Sequence, residues 1–290
     1  GWIPLDDDVV ADAPVPPPTQ KAIFGYGFVD GNPGVSMTNL VTSSGVVGTD
    51  VTGVGTARYG ITATGYGTDT AIFGYGYTGS KVSITNLVNN SGVVATDTTG
   101  VGTARSYLAA TRYGVGLAIF GYGTVVSNTA ITNLVSNVGV VATDTSGVGT
   151  ARHALAAVGY GGDKAIFGYG TTGSRVSLTN LVSNSGVVAT DTTGVGTARD
   201  YLAAASYGTG TAIFAYGTTG SNTAVSNLVS SSGVVASDVS GVGTARHALA
   251  ASGYGGDKGI FAYGTTGSYV STSNLVNNSG VIATDVTGVG

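Results

Sequence analysis

The chain has 290 residues, 50 of them Gly and 6 Pro, with no Cys, one Met, and 15 acidic groups that are all Asp. A helical protein of this composition would work against helix propensity along its length, and without Cys there is no disulfide scaffold, thiol nucleophile or thiolate metal site. Net charge is −4 with only 9% charged residues; there is no basic stripe for nucleic acid and no apolar run long enough to span a membrane.

Residues 1–20 differ from everything after them. They hold Asp6, Asp7, Asp8 and Asp12 and no Lys or Arg, so the rest of the chain balances to zero. Pro14 and Pro16 to Pro18 predict an extended linker. This acidic, Pro-containing arm is a candidate anchor, with Trp2 and Ile3 as apolar contacts and Asp6, Asp7 and Asp8 as the charged ones.

From residue 21 the chain repeats. Asn-Leu-Val begins at Asn39, Asn86, Asn133, Asn180, Asn227 and Asn274, a step of 47 residues each time. Asp50, Asp97, Asp144, Asp191, Asp238 and Asp285 keep that step, and an Ile-Phe pair recurs six times, from Ile23-Phe24 to Ile260-Phe261. Within one period, over 198–240, four short runs alternate with turns. ARDYLAAA, AIFAYG, TAVSNLV and VVASD are expected as strands a to d. Ala-Ala pairs such as Ala203-Ala204 suit a crowded inner strand, and Phe167 and Tyr169, two apart, are expected on one face of strand b. Four short antiparallel strands per period predict an all-β fold, a six-bladed β-propeller of four-stranded blades over 21–290. A β-solenoid is the alternative.

The run ARHALAAVGYGGDKAIFGYG, residues 151–170, resembles the kelch repeat, in which a basic residue leads a small-apolar strand, a turn, and a hydrophobic strand ending in a Gly doublet. Here Tyr169 divides the doublet, and Val187-Val188 stand where a kelch repeat closes with Trp. The resemblance covers 21–290 as an array and implies a propeller. In overall texture the repeats are also similar to Gly-rich arrays of bacteriophage structural and tail-fibre-like proteins.

Thr-Ala-Arg, the start of strand a, occurs only five times, ending at Arg58, Arg105, Arg152, Arg199 and Arg246. One blade therefore needs a strand from elsewhere. Residues 1–20, with Val9 and Val10, are one source, although the prolines nearest strand b disfavour them; chain beyond Gly290 is another. The a–b turns also alternate, GYGGDK against SYGTGT, which predicts a copied two-blade unit of 94 residues and a pseudo-threefold ring.

Candidate chemistry is sparse. Asp144 and Arg152, eight apart across the d–a linker, are expected to clasp neighbouring blades as an ion pair. His153 and His247, the only histidines, lie two blades apart and are expected as exposed loop residues, not metal ligands. The Gly-rich segments lack the Lys-Ser/Thr and helix of a phosphate loop. No cofactor, metal site or catalytic set is expected, and the chain is not expected to be an enzyme. Positions that vary between repeats are predicted to gather on one loop face: Tyr59, Ser106, His153, Asp200 and His247 from the d–a linkers, with Lys81, Asn128, Arg175, Asn222 and Tyr269 from the b–c turns. Rigid scaffolds often recognise ligands through such loops.

These readings point to a non-enzymatic structural or adhesive component of an extracellular assembly, such as a phage virion fibre or decoration protein. The arm would contact other structural proteins and the loop face a glycan or host surface; nucleic acid and membrane are not expected partners. A secreted, multivalent glycan-binding propeller is the alternative.

Overall fold

The computed structural model describes residues 21–29 and 32–288. The arm with Trp2, Ile3, Asp6, Asp7 and Asp8, and Val9-Val10 as a source of strand a, lie outside the described residues. Among those described, every regular element is a β-strand, arranged in six separate antiparallel sheets. Sheet 1 has two strands, β1 (Ala22–Val29) and β2 (Asn32–Val41). Sheet 2 has β3 (Thr62–Tyr66), β4 (Thr70–Tyr77) and β5 (Lys81–Val88); sheet 3 has β6 (Ala109–Tyr113), β7 (Leu117–Gly121) and β8 (Thr132–Val135). Sheet 4 comprises β9 (Ala156–Tyr160), β10 (Lys164–Gly168) and β11 (Thr179–Val182); sheet 5 comprises β12 (Ala203–Tyr207), β13 (Thr211–Ala215) and β14 (Ser226–Val229). Sheet 6 comprises β15 (Ala250–Tyr254), β16 (Lys258–Ala262) and β17 (Ser273–Val276).

The Ile-Phe repeat explains the packing. Adjacent residues of a strand point to opposite faces. In β10, Ile166 packs toward sheet 5, with Ala212 and Phe214, while Phe167 packs toward sheet 3, with Ile119 and Tyr122. Both are fully buried, because the middle strand is covered on both sides. The core is thus divided into one apolar cluster per sheet junction. The last sheet also packs on the first: Tyr254, Ile260 and Ala262 meet Ala22, Phe24 and Val41.

Two expectations about strands are corrected. In sheets 3 to 6 strand b stops two residues earlier than expected, because the Tyr after it takes a left-handed backbone, φ 64° at Tyr169, while in sheets 1 and 2 the strand continues past Tyr26 and Tyr75 through a register shift. That turn of the chain carries the ring away from Phe167 of its own strand and onto the next sheet. Tyr169 meets Phe214 at 5.2 Å, Tyr122 meets Phe167 at 5.1 Å, and Tyr26 meets Phe73 at 5.0 Å. The series ends with Tyr263 edge-on to Phe24 at 5.6 Å, joining sheet 6 to sheet 1.

Among the described residues, five sheets also have three strands and sheet 1 has two, not four. The expected strand d makes two isolated bridges to strand c, as in Val182↔Val188 and Thr179↔Thr192. Between them the Asn180 side chain takes the place of a ladder bond, donating from Nδ2 to Ala189 O at 3.0 Å and to Asp191 Oδ1 at 2.9 Å. An amide side chain wedged into the ladder satisfies the backbone carbonyl but interrupts strand pairing.

Candidate functional site

Two arrangements recur at the sheet junctions, one buried and one around an open cavity. The buried one is centred on the Arg of Thr-Ala-Arg, whose five side chains have no solvent exposure. Arg152 donates from Nε to Tyr169 O at 2.8 Å, from Nη1 to Thr150 O at 3.1 Å, and from Nη2 to Asn180 Oδ1 at 2.7 Å. Its guanidinium lies 4.4 Å over the ring of Tyr122 in the preceding sheet. The five-donor planar head suits this site, where three donors need acceptors and the face needs a π partner.

Asp191 completes the network. Its carboxylate accepts from the Thr150 N–H, from the Thr150 hydroxyl and from Asn180, and Arg152 Nη1 is 3.8 Å away. Burial pushes the carboxyl up, but the Thr150 and Asn180 hydrogen bonds outweigh it, and the group lies below its ordinary value. The expected Asp144–Arg152 pair is therefore replaced. Five of the six Asp, all but Asp50, return to the Arg that opens their own sheet, 39 residues earlier, and Asp144 binds Thr103 beside Arg105. The reason is topological: the last segment of a sheet runs back alongside the linker that began it. Gly149 sits inside this contact at φ 79°, where a Cβ would collide with Asp191 Oδ1 and Asn180 Nδ2.

In sheets 3 to 6 single bridges align each linker residue with its own sheet's b–c turn through one Thr, as in His153↔Thr171↔Arg175 and Asp200↔Thr218↔Asn222, and in sheet 2 Tyr77 takes that place between Tyr59 and Lys81. The side chains then pair across junctions. His153 Nδ1 is 2.7 Å from Asn128 Oδ1, and His247 Nδ1 is 2.7 Å from Asn222 Oδ1. Arg175 Nε donates to Asp200 Oδ1 at 3.0 Å. Asn128 Nδ2 donates to Thr171 O, which orients its Oδ1 toward the imidazole. Tyr269 contacts Phe28 at 5.6 Å, and Phe28 contacts Tyr59 at 5.4 Å. Lys81 lies at the end of β5, opposite Tyr77.

These positions are not uniformly exposed. Ser106 and Asp200 are buried, Arg175 and Tyr269 are exposed, and the other six are half-buried. The histidines are half-buried rather than exposed, because each leans on a tyrosine: Tyr107–His153 at 6.2 Å and Tyr201–His247 at 6.0 Å. Burial holds both imidazoles below their ordinary value against an upward pull from Asp200.

The cavity itself is about 720 Å³ and is lined by Phe28, Tyr59, Tyr107, Tyr201, Tyr263 and Tyr269 among others. Tyr107 and Tyr201 were not singled out from sequence. They occupy one position in sheets 3 and 5, where sheets 4 and 6 have Ala154 and Ala248. All four take φ near 50°, and their backbones form a chain: Tyr107 N donates to Gly60 O, Ala154 N to Tyr107 O, Tyr201 N to Ala154 O and Ala248 N to Tyr201 O. The two rings meet at 5.7 Å. Burial pushes the Tyr107 phenol up to about 12, with neighbouring phenols, Tyr201 first, adding to it. The readable signal was the 94-residue alternation of Tyr and Ala just before Leu-Ala-Ala. The cavity thus combines aromatic faces with phenol hydroxyls, the Asn39 amide and the Asp50 carboxylate, and can hold a polar ligand that has an apolar face.

In comparison with known proteins, no family model matches the chain, and no curated protein matches it.

Proposed function

We propose that the chain is a six-bladed, kelch-like β-propeller serving as a non-enzymatic adhesive module, and that its ligand is a carbohydrate held in the aromatic cavity. The aromatic contacts running from Tyr26–Phe73 around to Tyr263–Phe24 support the ring. The bridged fourth segment of each sheet supports a blade of three strands and a partial fourth. The observation that carries the binding reading is the set of rings Phe28, Tyr59, Tyr107, Tyr201 and Tyr269 facing one 720 Å³ cavity. Sugar rings present apolar C–H faces and hydroxyl edges, which match tyrosine faces that share the cavity with Asn39 and Asp50.

The setting we propose is an extracellular particle, such as a virion fibre or decoration protein, where many copies strengthen a weak contact by ~10²–10⁴. Near-identical repeats and a Ser, Thr, Asn and Gly surface support it. A glycan array with the purified chain tests the binding reading. Retention of a glycan class is expected, with Tyr107→Ala and Tyr201→Ala each weakening it about tenfold. Absence of retention at millimolar sugar would sink it.

A further inference from the structure

The linkers of sheets 2 to 6 pass the cavity in step. Gly60, Tyr107, Ala154, Tyr201 and Ala248 hold one position of the repeat, and Ile61, Leu108, Leu155, Leu202 and Leu249 hold the next. Both sets line the cavity. The first supplies the rings of Tyr107 and Tyr201. The second is aliphatic in all five sheets and forms a collar one residue further along each linker.

The fold explains why the collar is built this way. Each of its side chains leans on the Gly that follows the left-handed Tyr of its own sheet. A Cβ on Gly123 would lie 2.9 Å from Leu108 Cβ, one on Gly170 2.9 Å from Leu155 Cβ, and one on Gly217 3.0 Å from Leu202 Cβ. With one side Leu108, Leu155, Leu202 and Leu249 close the cores of four sheet junctions, and with the other they border the cavity.

The backbone at this level is already paired. Linker N–H groups bond to the preceding linker's carbonyl in succession, from Tyr107 N on Gly60 O to Ala248 N on Tyr201 O. Gly123 N and Gly170 N bond to Arg152 O and Arg199 O. A wall whose peptide groups have their partners offers a ligand apolar surface rather than hydrogen bonds. Space beside the two tyrosines is kept by the alternation with Ala: Ala154 and Ala248 have φ 53°, against 54° at Tyr107 and 51° at Tyr201. The same backbone thus carries a methyl in two sheets and a phenol in two others.

We infer that the collar is a subsite for an aliphatic chain, and that the ligand is an amphiphilic saccharide: a sugar ring against Tyr107 and Tyr201, bearing an alkyl or acyl chain that lies between Ile61 and the four leucines. The inference rests on the carbohydrate reading for the head of the ligand; for the tail it stands on the collar. Leaving water for an aliphatic enclosure is favourable for such a chain, and each methylene that enters strengthens binding by about two- to fourfold. A cavity of 720 Å³ is of the size of small-molecule sites, about 300–1,000 Å³.

The test titrates methyl, butyl, hexyl and octyl β-glucosides and β-galactosides, each below its micelle concentration, and 1-octanol into the full chain by calorimetry. One-to-one binding that tightens about two- to fourfold per methylene is expected, with octanol much weaker than the octyl glycosides. Ala248→Tyr gives sheet 6 the residue that sheets 3 and 5 carry at the same φ. It is expected to keep the melting temperature and to weaken octyl glycoside binding at least tenfold by filling the space. Val187→Thr, on an exposed turn outside the cavity lining, is the control and leaves every affinity unchanged. Glycosides that bind with no dependence on chain length overturn the collar and leave the carbohydrate reading standing. Octanol binding as tightly as the octyl glycosides overturns the carbohydrate reading and leaves the collar. Absence of saturable binding by every octyl compound overturns the collar, as does a chain-length dependence that Ala248→Tyr does not alter.

Discussion

Arg152 lies over the ring of Tyr122 at 4.4 Å while its Nη2 donates to Asn180 Oδ1 at 2.7 Å. One side chain therefore grips the preceding sheet by its face and its own sheet by its edge. The Asn is the pivot, because its amide nitrogen also holds the returning segment and Asp191.

Asn180→Ala is expected to destabilise the protein by about 3 kcal/mol, since it leaves a buried guanidinium donor and the Ala189 carbonyl without partners. Asn39→Ala, at a position that no guanidinium among the described residues reaches, is expected to cost about 1 kcal/mol. Urea denaturation of the two variants checks the difference, and equal losses would refute the role of the Arg contact.

Acid sensitivity follows from the carboxylates. Asp97, Asp144, Asp191, Asp238 and Asp285 all lie below their ordinary value: burial acts to raise them, and the Thr and Asn hydrogen bonds more than offset it. A depressed folded pKa contributes stability that is present above the unfolded value, about 3.9, and is lost as pH falls through the folded one. Melting temperature is expected to hold steady down to about pH 4 and then drop. A drop that starts near neutrality would point to the histidines instead.

At the alkaline end the tyrosines act. Burial pushes Tyr122 and Tyr216 up to about 12, against the pull of Arg152 and Arg246 respectively. A raised folded pKa contributes stability that is present below about pH 10 and lost as pH rises through the folded value. Tyrosinate absorbance should therefore rise in two stages, exposed phenols first, with the second stage coinciding with loss of the near-ultraviolet dichroism of the packed rings.

Two glycines should respond oppositely to Ala. Gly149, at φ 79° and facing Asp191 and Asn180, is expected to lose about 2 kcal/mol or more on Gly149→Ala, from backbone strain and the broken contact. Gly168 also has a close neighbour, with a Cβ 2.8 Å from Phe214 Cζ. Yet Ala215 and Ala262 occupy that position in sheets 5 and 6, fully or almost fully buried. Gly168→Ala is therefore expected to stay within about 1 kcal/mol. Paired thermal melts decide it.

The repeat made much of this legible. The Ile-Phe doublet and the Ala-Ala pairs mark the strands, and a fixed 47-residue step gives six sheets. The break in strand b was not legible, because a left-handed Tyr between two Gly looks like ordinary period two. The Asp–Arg pairing was misplaced because nearness in sequence stood in for nearness in space; the segment holding Asp144 runs back beside Thr103. Asn180 served as a marker of the repeat, but nothing in Asn-Leu-Val announces an amide that replaces a ladder bond. Tyr107 and Tyr201 were hidden by a residue type that is common throughout the chain, although their alternation with Ala was visible.

The partial fourth segment has a further consequence. A molecule displaying six near-identical outer borders would be prone to lateral growth into fibrils if each border carried an unbroken row of unpaired peptide groups. Touching strand c at only two points, and tied down by an amide and a carboxylate, the segment presents a kinked border that a neighbouring molecule cannot zip onto. Near-identical copying, ordinarily an invitation to amyloid, is thereby opposed at each border by the interruptions of the segment itself.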